Sequence, residues 1–109
     1  MTDYNAPLTD IRFLLNEVAG LPEIARLPGC EEATPDLVDA VLEEAGKFAA
    51  GVLAPLNAVG DRESCRLEDG KVVTPPGWTE AYKQFAEGGW VGLGLAPEYG
   101  GQGLPKCVA

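Results

Sequence analysis

Residues 34–62 read TPDLVDAVLEEAGKFAAGVLAPLNAVGDR, and this stretch sets the fold. Apolar residues fall at Leu37, Val38, Val41, Leu42, Ala45, Phe48, Ala49, Val52, Leu53 and Leu56. Gaps of three and four place them on one stripe of an α-helix. Asp36, Asp39, Glu43, Glu44 and Lys47 take the other side. Thr34 is suited to cap the first turn with its hydroxyl, and Pro35 to follow at a position where no N–H is needed. Glu31, Glu32, Asp36 and Asp39 lie near the positive end of the helix dipole. Gly60 reads as the stop. Pro55 removes a backbone donor well inside the pattern, so a kink or a broken last turn is expected there. Ala40, Gly46, Ala50, Gly51 and Ala54 spread small residues beyond the stripe. Either a second helix approaches them closely, or they are tolerated on a wet face at about 1 kcal/mol per glycine.

Composition bounds the rest. With 109 residues the chain is one domain or less. The formal net charge of −9 repels phosphate backbones and anionic lipid, so neither nucleic acid nor a membrane surface is an expected partner. No stretch reaches the roughly 18 apolar residues of a membrane span. The opening MTDYNAPLTDIRF has no basic segment followed by an apolar run, so it is no secretory signal, and a reducing cytoplasm is the default setting. Histidine is absent, which removes the commonest general base and metal ligand. Cys30, Cys65 and Cys107 are odd in number and widely spaced, indicating neither a disulfide framework nor a zinc site.

Working outward, residues 1–7 read as an irregular arm. Thr9 is expected to cap a short helix from Asp10 to Val18, with Leu8 and Phe13 as a hydrophobic staple and Gly20 as the stop. Residues 22–26 suit one further turn, pointing Ile24 and Leu27 inward, before the Pro28-Gly29 turn. Beyond Gly60, residues 61–65 read as loop. Residues 66–74 form a small hairpin around Asp69-Gly70. Trp78 to Glu87 is helical, with Trp78, Ala81, Tyr82, Phe85 and Ala86 at helical spacing, and Gly88-Gly89 ends it. The last stretch, from Trp90, holds Gly92, Gly94, Gly100, Gly101 and Gly103 with Pro97 and Pro105, and cannot be regular helix.

Few residues carry chemistry. The glycine-rich tail is no dinucleotide fingerprint: it follows a helix rather than a strand, and Ala96-Pro97 stands where the third glycine should be. Leu104-Pro105-Lys106 lacks the Gly-Lys-Ser/Thr order of a phosphate loop. A turn-rich segment packed under other elements is the better reading. Asp36, Asp39, Glu43 and Glu44 face outward and read as a solvated surface rather than an acid/base pair. Tyr82, Phe85 and Trp90 read as core. Ser64 is the sole serine and has no histidine to activate it, and the thiols are equally unassisted.

One ordered set of residues goes further. Residues 85–104, FAEGGWVGLGLAPEYGGQGL, resemble the N-terminal helical domain of acyl-CoA dehydrogenases: a helix ending in glycine, a short apolar stretch, then Pro-Glu-x-x-Gly-Gly-x-Gly. Pro97 and Glu98, then Gly100, Gly101 and Gly103, supply its residues, with one residue rather than two between Glu98 and the glycine pair, and the long helix with Asp61-Arg62 fits the preceding helix. The opening, with Tyr4, Ala6, Pro7, Leu8, Asp10, Arg12 and Phe13, is similar to an N-terminal extension of one bacterial branch, which includes enzymes acting on unusual acyl-CoAs such as 3-methylmercaptopropionyl-CoA. Lys106 to Ala109 depart from the expected continuation.

The resemblance implies a mostly α fold with one small β-hairpin: residues 1–33 as an extension with short helices, residues 34–109 as an incomplete N-terminal helical domain. It implies FAD in the parent enzyme, an acyl-CoA substrate, electron-transfer flavoprotein as acceptor, and a homo-oligomer. In the family a glutamate, usually in the C-terminal helical domain, removes the α-proton, and the β-hydride passes to the flavin; those positions have no counterpart here. No catalytic, cofactor-binding or metal residue is therefore assigned. Pro97, Gly100, Gly101 and Gly103 are carried over as backbone-shaping residues only. The expectation is an N-terminal fragment that walls the acyl pocket, supports oligomer packing with the remainder of the parent chain, and is inactive alone. The alternatives are a free-standing helical interaction module and an acyl-CoA binder without redox activity.

Overall fold

The computed structural model describes residues 3–109. The first helix, α1 (Leu8–Phe13), runs into a wide turn of i→i+5 bonds, Leu14–Val18. It starts one residue before Thr9, because the Pro7 carbonyl accepts from the Ile11 N–H at 3.0 Å and opens the helix itself. The expected Thr9 cap does not form, and Phe13 is exposed rather than stapled to Leu8. Gly20, at φ +75, reverses the chain after the wide turn, and α2 (Leu21–Ile24) follows. Leu21 is buried, whereas Leu27, expected inward, is 54% exposed. Leu21, and not Leu27, joins the core cluster with Leu15, Ala33, Val38 and Leu104.

The long helix is three joined pieces: α3 (Pro35–Phe48), a wide turn Ala49–Leu53, and α4 (Ala54–Glu63). Its start is as expected, with the Leu37 N–H donating to Thr34 Oγ1 at 3.3 Å. Pro55 does not break it. Ala54 N–H donates five residues back to the Ala49 carbonyl, and this wider turn just ahead of Pro55 accommodates a ring that an ordinary α-turn would crowd. Gly60 is not the stop either. It lies inside α4 under Trp78, whose Cζ2 would stand 2.6 Å from a Cβ at that position. The helix ends instead at Glu63, as Ser64 swings to φ +54.

Strands β1 (Arg66–Glu68) and β2 (Lys71–Val73) pair antiparallel, with Leu67 opposite Val72. Asp69 and Gly70, at φ +50 and +75, make the two-residue turn whose twist matches the strands. Helix α5 (Trp78–Glu87) follows Gly77 and stops at Gly88-Gly89, where Gly89 takes φ +81. The remainder is turns, including two short 3-10 turns, Trp90–Gly92 and Pro97–Tyr99. The chain is thus mostly helical with one two-stranded hairpin among the described residues. No helix of the described residues is long and apolar enough to cross a membrane.

The core gathers Leu15, Leu21, Ala33, Val38 and Leu104, with Ile11, Val41, Leu42 and Leu93 packed around it. A second contact joins Phe48 to Phe85 and Trp90, at ring-centroid distances of 6.1 and 6.5 Å. Tyr82, expected in the core, is 67% exposed and lines a shallow surface depression with Trp78, Thr79 and Lys83. The molecule is a slab of 52 × 36 × 18 Å with a radius of gyration of 16.9 Å. A compact domain of this length has about 13 Å. Its accessible surface is 7878 Å², against about 5,800 Å² for a folded monomer of this size.

Candidate functional site

The glycine-rich tail lies against the first half of α3, and the physics of its turns decides what it can bind. Gly100 and Gly103 sit at φ +86 and +68, and a Cβ on Gly101 would stand 2.0 Å from the Leu95 carbonyl oxygen. Pro97 packs over Gly103, its Cγ 3.1 Å from where a Cβ would be. The backbone folds back on itself here. The N–H groups of residues 100 to 104 donate to the carbonyls of Pro97, Ala96, Gly92, Leu95 and Leu93, at 2.9–3.1 Å. A phosphate cradle needs consecutive free N–H donors, and these five are all engaged internally. The tail is therefore a closed knot of turns that drives Leu104 into the core.

Two apolar grooves flank this body. One, of about 610 Å³, runs between α3 and the tail, lined by Leu37, Val41, Trp90, Leu93 and Leu104, with Glu32 and Glu44 also in its wall. The other, of about 920 Å³, follows α4 past Leu53, Ala54, Leu56, Asn57 and Ala58 to Trp78. The titratable groups lining them are Glu32 and Glu44 in the first and Tyr4 and Asp61 in the second.

The acidic face of α3 is solvated, as its pattern required, and it anchors α1. Arg12 bonds Asp39 through Nε and donates from Nη2 to Glu43 Oε1 at 3.0 Å. The hydrogen bond to Asp39 raises the Arg12 pKa above its ordinary value, helped by Glu43. Lys47 is likewise raised by its 2.8 Å bond to Glu44. Both shifts strengthen cations that are already charged at neutral pH, so they create no proton donor or acceptor for catalysis. Gly46 lets α1 come close: a Cβ there would meet Leu8 Cδ1 at 3.3 Å. Beside Gly51 there is open space. Of the two readings of the small residues, close approach holds at Gly46 and tolerance at Gly51.

No group of three or more His, Cys, Asp or Glu is placed to hold a metal ion among the described residues. Cys30 is half-buried, Cys65 and Cys107 are exposed, and all three are free thiols. The turns around Gly101 offer no free N–H donors to a pyrophosphate, since those of residues 100 to 104 are all engaged. What the sequence did not reveal is the grooves, since each joins residues far apart in the chain.

No family model matches this chain. It is 43% identical over 105 residues to the 3-methylmercaptopropionyl-CoA dehydrogenase of Ruegeria pomeroyi, a match that takes in 96% of this chain. The chain spans only 18% of that protein's length. The likeness to the acyl-CoA dehydrogenases read from the motif around Pro97 and Gly101 is thereby borne out over nearly the whole chain.

Proposed function

We propose that this chain is the N-terminal helical portion of an FAD-dependent acyl-CoA dehydrogenase, in which residues 1–33 extend a helical domain begun by residues 34–109. The 43% identity across almost the full chain carries this reading. The surplus surface fits it, because a slab with so small a core suits a part of something larger. Its work in the parent is to wall the acyl pocket and support packing between subunits in a cytoplasmic homo-oligomer. Pro97, Gly100, Gly101 and Gly103 shape the tail that presents Trp90, Leu93 and Leu104. The substrate to test first is 3-methylmercaptopropionyl-CoA, after the relative's name. FAD supplies the hydride acceptor in the whole enzyme, with electron-transfer flavoprotein as its oxidant. This chain's residues supply apolar walls and no proton transfer.

The chain alone is inactive on this reading. Incubation with 3-methylmercaptopropionyl-CoA, other acyl-CoAs and a dye acceptor should give no turnover. Reduction of the dye, or a flavin retained through dialysis, would overturn the assignment. The many exposed apolar side chains keep a second reading in play, a free-standing helical interaction module. A compact, monodisperse monomer, rather than an expanded or aggregating species, would favour it.

A further inference from the structure

We propose that residues 3–13 form a releasable strap, laid antiparallel along α3 and held down by the single cation Arg12, which lifts as a unit while the core stays folded. This stands apart from the family reading. The course of the chain defines the strap. Arg12 meets Asp39 and Glu43. Leu8 Cδ1 and Ala6 Cβ lie 3.3 and 3.7 Å from where a Cβ on Gly46 would stand. Tyr4 reaches the wall of the larger groove beside Ala49 and Leu53. Each step back toward Tyr4 is thus a step forward along the long helix.

The strap is thinly attached. Helix α1 has no buried residue. Of residues 3–13 only Ile11 packs against the core cluster, which takes hold of the chain at Leu15. Charge also works against the strap. It carries Asp3 and Asp10 beside Arg12, and Asp36, Asp39, Glu43 and Glu44 line one depression on α3. Lys47 is engaged with Glu44. Without Arg12 the strap presents two carboxylates and no cation to an acidic face, and like charges repel. The ion pairs of Arg12 are partly exposed, so their hold is modest and reversible. Lifting the strap uncovers Gly46 and takes Tyr4 out of the groove wall.

The test uses the whole 109-residue chain with Cys30, Cys65 and Cys107 changed to Ser. Gly46→Cys places one thiol beneath the strap, where the crowding atom is the flexible end of Leu8. Gly51→Cys, in open space on the same long helix, is the control. At low ionic strength a neutral maleimide should label position 46 about fivefold or more slowly than position 51. Arg12→Gln should raise the rate at position 46 about fivefold, with the helical circular-dichroism signal retained. Arg12→Lys, which keeps the charge, should restore part of the protection. A second variant joins Ala6→Cys to Gly46→Cys. The 3.7 Å between those Cβ positions suits a disulfide, so mild oxidation should close one, and Arg12→Gln should slow its closure. A labelling rate at position 46 that ignores Arg12→Gln overturns the proposal. So does a pair at positions 6 and 46 that never closes, or a loss of protection that takes the helical signal with it.

Discussion

At the scale of single residues, space and backbone angle act separately, and three glycines show it. Gly101 has no positive φ, yet a Cβ there would lie 2.0 Å from a carbonyl oxygen that itself accepts the Gly103 N–H. Gly101→Ala should therefore destabilise the chain by about 2 kcal/mol or more, read by urea denaturation, because backbone must move. Gly29 is the converse, at φ +87 with nothing within 4 Å. Gly29→Ala should cost about 1 kcal/mol, from the left-handed conformation alone. Gly51 has neither constraint. Arg12 belongs at this scale too. Its folded pKa is raised, so what it contributes is complete below its unfolded pKa and fades only as pH rises through the still higher folded value. Arg12→Gln should loosen α1 from α3 by the same amount at pH 6 and at pH 9.

At the scale of elements, the long helix gives paired and opposite expectations. Thr34→Ala removes the acceptor for the Leu37 N–H and should cost about 1 kcal/mol. Gly51→Ala adds a methyl group where there is room and should stabilise by about 0.5–1 kcal/mol. Thermal melts of the two variants should move in opposite directions. Elements were also where the sequence was most legible. The cap at Thr34, the Asp69-Gly70 turn and the α5 stop at Gly88-Gly89 each depend on a few adjacent residues, and each formed as its chemistry dictates. The misjudged ends have local causes that compete. Pro7 opened α1 before Thr9 was able to, and Gly60 serves packing against Trp78 rather than termination.

At the scale of the whole molecule, legibility falls away. Leu104 reaches the core only because five hydrogen bonds fold the tail back on itself. No periodicity announces that, since the partners are loop carbonyls rather than neighbours on a helix. Burial of Leu21 in place of Leu27, and exposure of Tyr82, are equally matters of what lies opposite. The slab shape has its own measurable consequence. Unfolding exposes less new surface than in a compact domain of equal length, so the urea m-value should fall below the norm for its size. A hydrophobic dye should fluoresce strongly with the native chain at neutral pH. An m-value typical of the length, with no dye signal, would show that the apolar surface is covered in solution.

The wide turn at Ala49–Leu53 has a further meaning. Bonds of i→i+5 house one residue more per turn than those of an ordinary helix, so α4 is rotated relative to a uniform wheel drawn from Thr34. The stripe then keeps its aim only if an additional residue is present in that turn. Shortening the chain by one at Gly51 would let the wide turn close into an ordinary one with α3 and α4 still presenting the same sides, whereas the same deletion at Gly46 would remove the seat of Leu8 and rotate the first part of α3 relative to everything that follows it.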